Sequence, residues 1–201
     1  MNLFLDLDGT LLDSRERLYK LFSFLVPQSK LNFTEYWEYK RDGIGHNEIL
    51  QNLFDYSGDS TDRFQQRWRS LIEQPEWIQY DKPFPGVTEK LIELNKKYSL
   101  ILITARQSVD VVNEQLDKFN WEGLFDYVLV TGQEREKKDL ILDKVSITPD
   151  DWLIGDTGID IQTGKILKIK TAAVLSGFRN NRKLQKYDPD IIIDCLLDFY
   201  K

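Results

Sequence analysis

Two aspartates stand two positions apart at the end of a short apolar run near the start of the chain. The run covers residues 3–7, and Asp6 and Asp8 lie at its end, directly before Gly9. An apolar run closed by a glycine predicts a buried strand that enters a loop. Two carboxylates spaced in this way start on the same side of the strand and repel each other, so we expect a cation to offset them.

Polar residues also close two later apolar runs. Thr104 ends one of them, and Asp156 and Asp160 follow another. Because ligands of parallel sheets bind at the carboxyl ends of the strands, we expect all four aspartates to meet at one edge. Carboxylate oxygens are ligands that suit Mg²⁺. Each residue alone is typical of a turn or a helix cap, but together at these strand ends they predict a functional site.

The elements that must position these residues alternate along the chain. Further apolar runs of strand length lie at residues 100–104, 127–130, 152–155, 172–175 and 191–193. Helical patterns separate them, such as the apolar stripe of Val87, Leu91 and Leu94. This alternation predicts an α/β fold with a doubly wound, parallel, Rossmann-like sheet that is covered on both faces.

One segment, residues 14–82, interrupts the alternation. It has good helical patterns and no convincing buried strand, and it holds 13 of the 25 aromatic residues. We therefore predict a small α-helical domain at 14–82, inserted after the first strand. The α/β core is then formed by residues 1–13 and 83–201.

The composition argues against several kinds of partner, metal site and cellular location. The 201 residues carry a net charge of −6, which disfavours nucleic acid and anionic membranes as partners. A single cysteine and a single histidine exclude an internal disulfide and a zinc site of several such ligands. No apolar run is long enough to span a bilayer, and the first residues are not typical of a signal peptide. We expect a cytoplasmic protein, and its oligomeric state stays open.

The strand-end motifs resemble those of the haloacid dehalogenase superfamily. Residues 6–14 (DLDGTLLDS) resemble its first motif, 102–106 (LITAR) its second, 137–138 its third, and 155–160 (GDTGID) its fourth. Residues 84–87 are similar to the segment in which members of subfamily I leave a helical cap. The resemblance covers essentially the whole chain. It implies a core with a helical cap, as in phosphoglycolate phosphatases and β-phosphoglucomutases.

The resemblance implies phosphoryl transfer through a covalent intermediate. Asp6 would attack phosphorus and form an aspartyl-phosphate, and Asp8 would act as general acid and then as general base. Mg²⁺ would be held by Asp6, the backbone carbonyl of Asp8 and Asp156, with Asp160 holding a bound water or orienting the catalytic lysine. Members that displace halide generally lack the second aspartate, so Asp8 favours phosphoryl transfer.

The resemblance also implies contacts to the transferring phosphate. Thr104 and one lysine would hold its oxygens, and both Lys137 and Lys138 fit the motif, with Lys137 favoured. The predicted substrate-binding residues are Gly9, Thr10, Ala105 and Arg106 in the core, and Arg41 and Gly43 in the cap. The cap residues can equally belong to an exposed turn between helices. We expect His46 to lie in a loop or to begin a helix without acting as a catalyst, and Tyr36 to pack in the core of the cap.

The resemblance implies a Mg²⁺-dependent phosphatase that hydrolyses a small phosphorylated metabolite, because phosphatases are common in the family. Two alternatives stay open at this stage. A phosphomutase acting on a sugar phosphate uses the same pair of aspartates, and a protein that keeps the fold without turnover would only bind a phosphorylated ligand. The sequence does not identify the substrate.

Overall fold

A six-stranded parallel sheet organises the larger part of the chain. The structure is a computed structural model and describes residues 1–199. The strands are, in chain order, β1 (Asn2–Leu5), β2 (Leu12–Asp13), β3 (Lys82–Pro83), β4 (Ser99–Thr104), β5 (Tyr127–Val130), β6 (Trp152–Gly155), β7 (Lys170–Val174) and β8 (Ile191–Ile193). The sheet has the order β5-β4-β1-β6-β7-β8 with parallel neighbours, and β2 and β3 lie outside it.

Helices connect the strands and form the segment between β2 and β3. They are α1 (Arg15–Leu25), α2 (Phe33–Arg41), α3 (His46–Phe54), α4 (Asp59–Leu71), α5 (Pro75–Ile78), α6 (Val87–Asn95), α7 (Val109–Lys118), α8 (Lys137–Lys144), α9 (Gly158–Leu167) and α10 (Asn181–Leu184). Two short 3₁₀ helices follow at Gln185–Tyr187 and Leu196–Asp198. Within residues 1–199, none of the helices is both long and apolar enough to cross a membrane.

Both faces of the sheet are covered by apolar side chains. Along β1, Leu3 and Leu5 pack into one hydrophobic cluster, whereas Phe4 between them packs into another on the opposite face. All three are fully buried. Successive residues of a strand point to opposite faces, so a strand buried on both faces needs an unbroken apolar run. The predicted fold class, a doubly wound α/β sheet, is confirmed.

The central position of β1 brings three strand ends together. Leu5 pairs with Leu102 of β4 on one side and with Ile154 of β6 on the other. The next residue, Asp6, still donates its backbone N–H to the Ile154 carbonyl at 3.0 Å. From β1 the sheet extends through β4 and β5 on one side and through β6, β7 and β8 on the other. The end of β1 is therefore the switch point, where sheets of this kind bind ligands.

The chain divides into two compact units. Unit 1 comprises Met1–Asp13 and the chain from Pro83 onwards, and unit 2 comprises Ser14–Lys82. Helices α1–α5 all belong to unit 2. Residues 200–201, which the sequence analysis assigned to the core, lie outside the described residues.

Unit 2 has an aromatic core of its own. Phe22 and Tyr36 are fully buried, with ring centroids 4.9 Å apart. His46 is the first residue of α3, which is one of the two placements predicted for it, and its ring lies 4.1 Å from that of Trp68. Its Nε2 and the Tyr36 hydroxyl are hydrogen bonded at 2.8 Å. The expectation that Tyr36 packs in this core is confirmed, and His46 is bound into the same cluster.

Candidate active site

Lys137 lies between two carboxylates at the carboxyl edge of the sheet. Its Nζ is 2.6 Å from Oδ1 of Asp6 and 2.6 Å from Oδ1 of Asp160. The side chains of Lys137 and Asp160 are only 6% and 2% exposed. Charge-assisted hydrogen bonds are stronger than neutral ones, and the low local dielectric strengthens them further. The three side chains therefore form one buried ion-pair network.

Each member of this network is fixed by the element that carries it. Asp6 directly follows β1, and Lys137 is the first residue of α8. Asp160 is the third residue of α9, where its Oδ2 accepts hydrogen bonds from the backbone N–H of Thr157 at 3.1 Å and from its hydroxyl at 2.7 Å. This capping box closes the first turn of α9. Asp160 thus uses one oxygen to cap its helix and the other to hold Lys137.

Asp156 is held on the same edge by a loop that follows β7. Its Oδ2 accepts the backbone N–H of Phe178 at 2.5 Å. A Cβ at Gly177 would lie 2.1 Å from that oxygen, and one at Gly9 would lie 2.5 Å from it. Both positions therefore require glycine, because the backbone approaches the carboxylate too closely for a side chain. Oδ1 of Asp156 is buried and has no hydrogen-bond partner among residues 1–199.

The pKa values of the cluster reflect burial and mutual charge. Burial raises the pKa of Asp6 from an ordinary 3.8 to about 7, against the opposing effect of Lys137. Burial also raises the pKa of Asp156 well above its ordinary value, and the charges of Asp6 and Asp160 add to this. Burial lowers the pKa of Lys137, but Asp160 and Asp6 outweigh it and leave that pKa above its ordinary value. The protein groups therefore keep the lysine charged and leave the carboxylates short of positive charge.

The same carboxylates fit a divalent cation. Asp6, Asp156 and Asp160 each offer an oxygen, and these oxygens lie within 4.8 Å of one another. With all three ionised, Lys137 balances only one of three negative charges, and uncompensated buried charge is costly. Oδ1 of Asp156, which has no hydrogen-bond partner within residues 1–199, is a buried carboxylate oxygen able to form a ligand bond. Hard oxygen donors around a compact site suit Mg²⁺.

The residues predicted to hold the phosphate oxygens lie at the end of β4 and in the loops after β1 and β4. Thr104 is buried, and its Oγ1 accepts the backbone N–H of Arg106 at 3.3 Å. Thr10 is buried too, and its Oγ1 has no hydrogen-bond partner within the described residues. Ala105 is exposed. Gly9 has a positive φ of +87°, and its carbonyl accepts the Ser176 hydroxyl at 2.9 Å.

Asp8 and Arg106 form a pair beside this cluster. The Arg106 Nε donates to Oδ2 of Asp8 at 2.5 Å, and its Nη2 donates to Oδ1 at 2.7 Å. The Arg106 side chain is 4% exposed and that of Asp8 is 18% exposed. Sequence analysis predicted a substrate contact for Arg106, whereas the structure brings its guanidinium onto the second aspartate of the first motif.

Three other predicted residues lie away from the cluster or in the other unit. Lys138 forms its ion pair with Glu136 at the surface, so that only Lys137 of the two candidate lysines reaches the aspartates. Arg41 is the last residue of α2, and Gly43 follows two positions later with a φ of +77°. Both belong to unit 2, and their part in substrate binding stays a prediction.

Sequence reasoning missed the contacts that the loop after β7 makes with the site. Ser176 and Phe178 bind Gly9 and Asp156, and Gly177 makes room for the latter. The available signal was a Ser-Gly pair at the end of a predicted strand, at the edge where the aspartates also lie. The bidentate pair of Arg106 with Asp8 had no such signal, since it joins residues 98 positions apart.

Comparison with solved structures shows that the chain shares its fold with known proteins. A haloacid dehalogenase-like family protein from Streptococcus pneumoniae is similar with a TM-score of 0.80 at 23% identity, covering 98% of this chain and 95% of that one. A predicted phosphoglycolate phosphatase from Haemophilus somnus is similar with a TM-score of 0.75 at 20% identity, covering 99% and 95%. At these identities the likeness shows a shared fold.

Comparison of sequences identifies the family to which the chain belongs. A phosphoglycolate phosphatase from Aquifex aeolicus is 25% identical, over 98% of this chain and 93% of that protein. The pyrophosphatase PpaX from Oceanobacillus iheyensis is 22% identical, over 96% and 92%. The family model described as haloacid dehalogenase-like hydrolase matches residues 3–174. That match spans most of the chain, confirming the predicted family and its class of enzyme, so the chain belongs to the haloacid dehalogenase-like hydrolases.

Proposed function

We propose that the protein is a Mg²⁺-dependent phosphatase that hydrolyses a small phosphomonoester through an aspartyl-phosphate on Asp6. The observation that carries the proposal is the buried network of Asp6, Lys137 and Asp160 beside the unpartnered oxygen of Asp156. It combines a nucleophile, a fixed positive charge and carboxylate oxygens suited to a cation at one edge of the sheet.

Asp6 is suited to be the nucleophile. Lys137 donates a hydrogen bond of 2.6 Å to its Oδ1 and so holds the carboxylate in place. In the first step an oxygen of Asp6 forms a bond to phosphorus while the bond from phosphorus to the leaving oxygen breaks. Asp8 gives the leaving oxygen its proton, because an alkoxide is a poor leaving group.

Water completes the cycle in a second step. Asp8, now a carboxylate, takes a proton from a water molecule as that water attacks phosphorus. The bond between phosphorus and the Asp6 oxygen breaks, and Asp6 is returned as a carboxylate. Lys137 and Thr104 donate hydrogen bonds toward the transferring oxygens, where fixed donors stabilise the developing charge most.

Asp6 and Asp156 would hold Mg²⁺, together with the backbone carbonyl of Asp8. When bound, the cation supplies the positive charge that lets an anionic nucleophile meet an anionic phosphate. Asp160 acts on this site through Lys137, because its two oxygens bind that lysine and cap α9. These roles are assigned from hydrogen bonding and burial.

The names of the relatives supply the first candidate substrates. The relatives named phosphoglycolate phosphatase make 2-phosphoglycolate the first compound to assay, and the pyrophosphatase makes inorganic diphosphate the second. We assign unit 2 the role of a specificity cap, with Arg41 and Gly43 as its candidate substrate contacts. Variation of Arg41 is then expected to change KM among metabolites more than kcat.

The test is turnover of an aryl phosphate at neutral pH with and without Mg²⁺, for the wild type and for Asp6→Asn. We expect Mg²⁺-dependent turnover in the wild type and its loss in the variant, since an amide cannot serve as this nucleophile. Turnover that survives Asp6→Asn would refute the mechanism. Transfer of phosphate to a sugar hydroxyl in preference to water would favour a phosphomutase instead.

A further inference from the structure

Asp8 and Arg106 form a two-point side-chain contact that the proposed reaction does not use. Two nitrogens of the guanidinium face the two oxygens of the carboxylate, at 2.5 and 2.7 Å. Such a two-point contact fixes the plane and the direction of a carboxylate, which a single hydrogen bond does not. Asp8 is the residue to which the proposed reaction assigns proton transfer.

Arg106 itself is held firmly. Its side chain is 4% exposed. Its backbone N–H donates to Oγ1 of Thr104 at 3.3 Å, and its carbonyl accepts the backbone N–H of Gly132 at 3.0 Å. Strand β4 and the loop after β5 therefore fix the residue from both sides. A rigid support of this kind is what precise placement of a reacting group requires.

We infer that Arg106 is a positioning residue for the proton-transfer step, acting through Asp8. This rests on the proposed function. A carboxylate has about four lone-pair sites, and the two bonds from Arg106 leave others available for the proton in transit. The guanidinium fixes the plane of the carboxylate, and with it the directions of these remaining sites. Arg106 thus serves the reaction without being a substrate contact, in contrast to the role that its motif suggested.

The chemistry separates these two roles. A group that positions Asp8 matters most when the leaving oxygen is basic and needs a proton. A group that binds the phosphate matters equally for all leaving groups. Phenyl phosphate, whose phenol has a pKa of about 10, needs the proton far more than 4-nitrophenyl phosphate does. We therefore expect Arg106→Met to lower kcat/KM for phenyl phosphate by about 10²-fold and that for 4-nitrophenyl phosphate by much less.

A double-mutant cycle makes the test decisive. Arg106→Met, Asp8→Asn and the double variant are compared with the wild type, with the burst of nitrophenolate or phenolate release reporting the first step. If Arg106 acts through Asp8, its removal costs less than about threefold once Asp8 is gone, because residues that act as a unit are not additive. KM is expected to change little.

Two further variants serve as controls. They test whether a loss of activity comes only from unfolding or only from the loss of a positive charge. Arg106→Lys keeps the charge without the two parallel bonds and is expected to recover only part of the activity. Arg182→Met removes an exposed arginine from α10 and is expected to leave turnover unchanged. Thermal unfolding of each variant, followed by circular dichroism, identifies any that fail to fold.

The outcomes are distinct. Additive effects in the cycle, a rise in KM alone, equal losses for both leaving groups, or full recovery by Arg106→Lys would each overturn the positioning role while leaving the phosphatase intact. Absence of turnover by the wild type would overturn the proposed function and this inference with it. A non-additive cycle with a selective loss for phenyl phosphate would support the role.

Discussion

Lys137 is the residue on which the charge balance of the site depends. Its ammonium lies between Asp6 and Asp160 and forms an ion pair of 2.6 Å with each. Lys137 is buried, whereas the adjacent Lys138 pairs with Glu136 at the surface. Its removal leaves both carboxylates without their ammonium and deprives the transferring phosphate of a donor. We expect Lys137→Met to lower kcat/KM by about 10²–10³-fold, measured with an aryl phosphate at saturating Mg²⁺.

Lys138→Met is the matched control, because it removes the same side chain one position away. Its ion pair is exposed, and exposed pairs contribute little, so we expect turnover within about twofold of the wild type. Equal losses in the two variants would contradict the assignment of the catalytic lysine. The measurement thus distinguishes the two lysines that the motif left open.

His46 makes unit 2 sensitive to pH. Burial lowers its pKa well below the ordinary 6.5, and the charge of Lys40 lowers it further. The unfolded chain therefore binds a proton near pH 6.5 that the folded chain does not, so stability falls as the pH drops below that value. The slope approaches about 1.4 kcal/mol per pH unit for one such group.

Urea unfolding followed by tryptophan fluorescence measures this effect at pH 7.5 and 5.5. His46→Gln keeps a polar partner for the Tyr36 hydroxyl but cannot titrate, so it is expected to lose less stability between the two pH values than the wild type does. An equal loss in both proteins would show that other groups govern the acid sensitivity. Comparing the two proteins cancels the contribution of Asp6 and Asp156.

At the scale of elements, the loop after β7 determines where Asp156 lies. Gly177 allows the backbone to approach that carboxylate, because a Cβ there would be 2.1 Å from Oδ2. Gly177→Ala must displace the loop or the carboxylate, and groups that orient metal ligands typically change affinity by about 10–100-fold. We expect Mg²⁺ binding, measured by titration calorimetry, to weaken accordingly.

Gly45→Ala is the control for this substitution. Nothing lies within 4 Å of the Cβ it adds, and Gly45 has an ordinary φ of −77° in unit 2. Its Mg²⁺ affinity is expected to equal that of the wild type. Unchanged affinity in Gly177→Ala would mean that the loop does not position a metal ligand.

The same elements show what could be predicted from the sequence. Unbroken apolar runs are required of strands buried on both faces, so β1, β4 and β6 were predictable, and with them the edge where Asp6 and Asp156 meet. The motif favoured Lys137 over Lys138 but did not decide between them. Adjacent helical residues point about 100° apart, and only the exact start of α8 decides which of them faces the sheet.

The contacts of Arg106 and Phe178 could not be predicted from the sequence, for a different reason. Each joins residues that are distant in sequence, and each depends on loop geometry more than on a periodic pattern. A backbone N–H such as that of Phe178 carries no residue-type signal at all. Local sequence patterns therefore predict the sheet and its polar edge. The contacts that Arg106 and Phe178 make with the aspartates can be seen only in the folded structure.

At the scale of the whole molecule, binding of Mg²⁺ should stabilise the two units unequally. All three carboxylates of the candidate metal group belong to unit 1. A ligand that binds only the folded state stabilises it by about 2.7 kcal/mol at a concentration of 100 Kd. We expect the Tm of unit 1 to rise with the logarithm of Mg²⁺ concentration and to fall with a chelator, measured by calorimetry.

Hydrogen exchange locates the effect. Amides opened only by unfolding of unit 1 should gain protection on addition of Mg²⁺, whereas those of residues 14–82 should gain less, since local stability differs between cooperative units. Asp156→Asn removes a ligand charge and should abolish most of the shift. The same shift in that variant, or a larger gain in residues 14–82, would refute a metal site built on Asp6 and Asp156. A gain in protection that is confined to unit 1 and lost in Asp156→Asn would support the metal site. It would show that neutralising the excess negative charge of the aspartate cluster stabilises the sheet that carries the cluster.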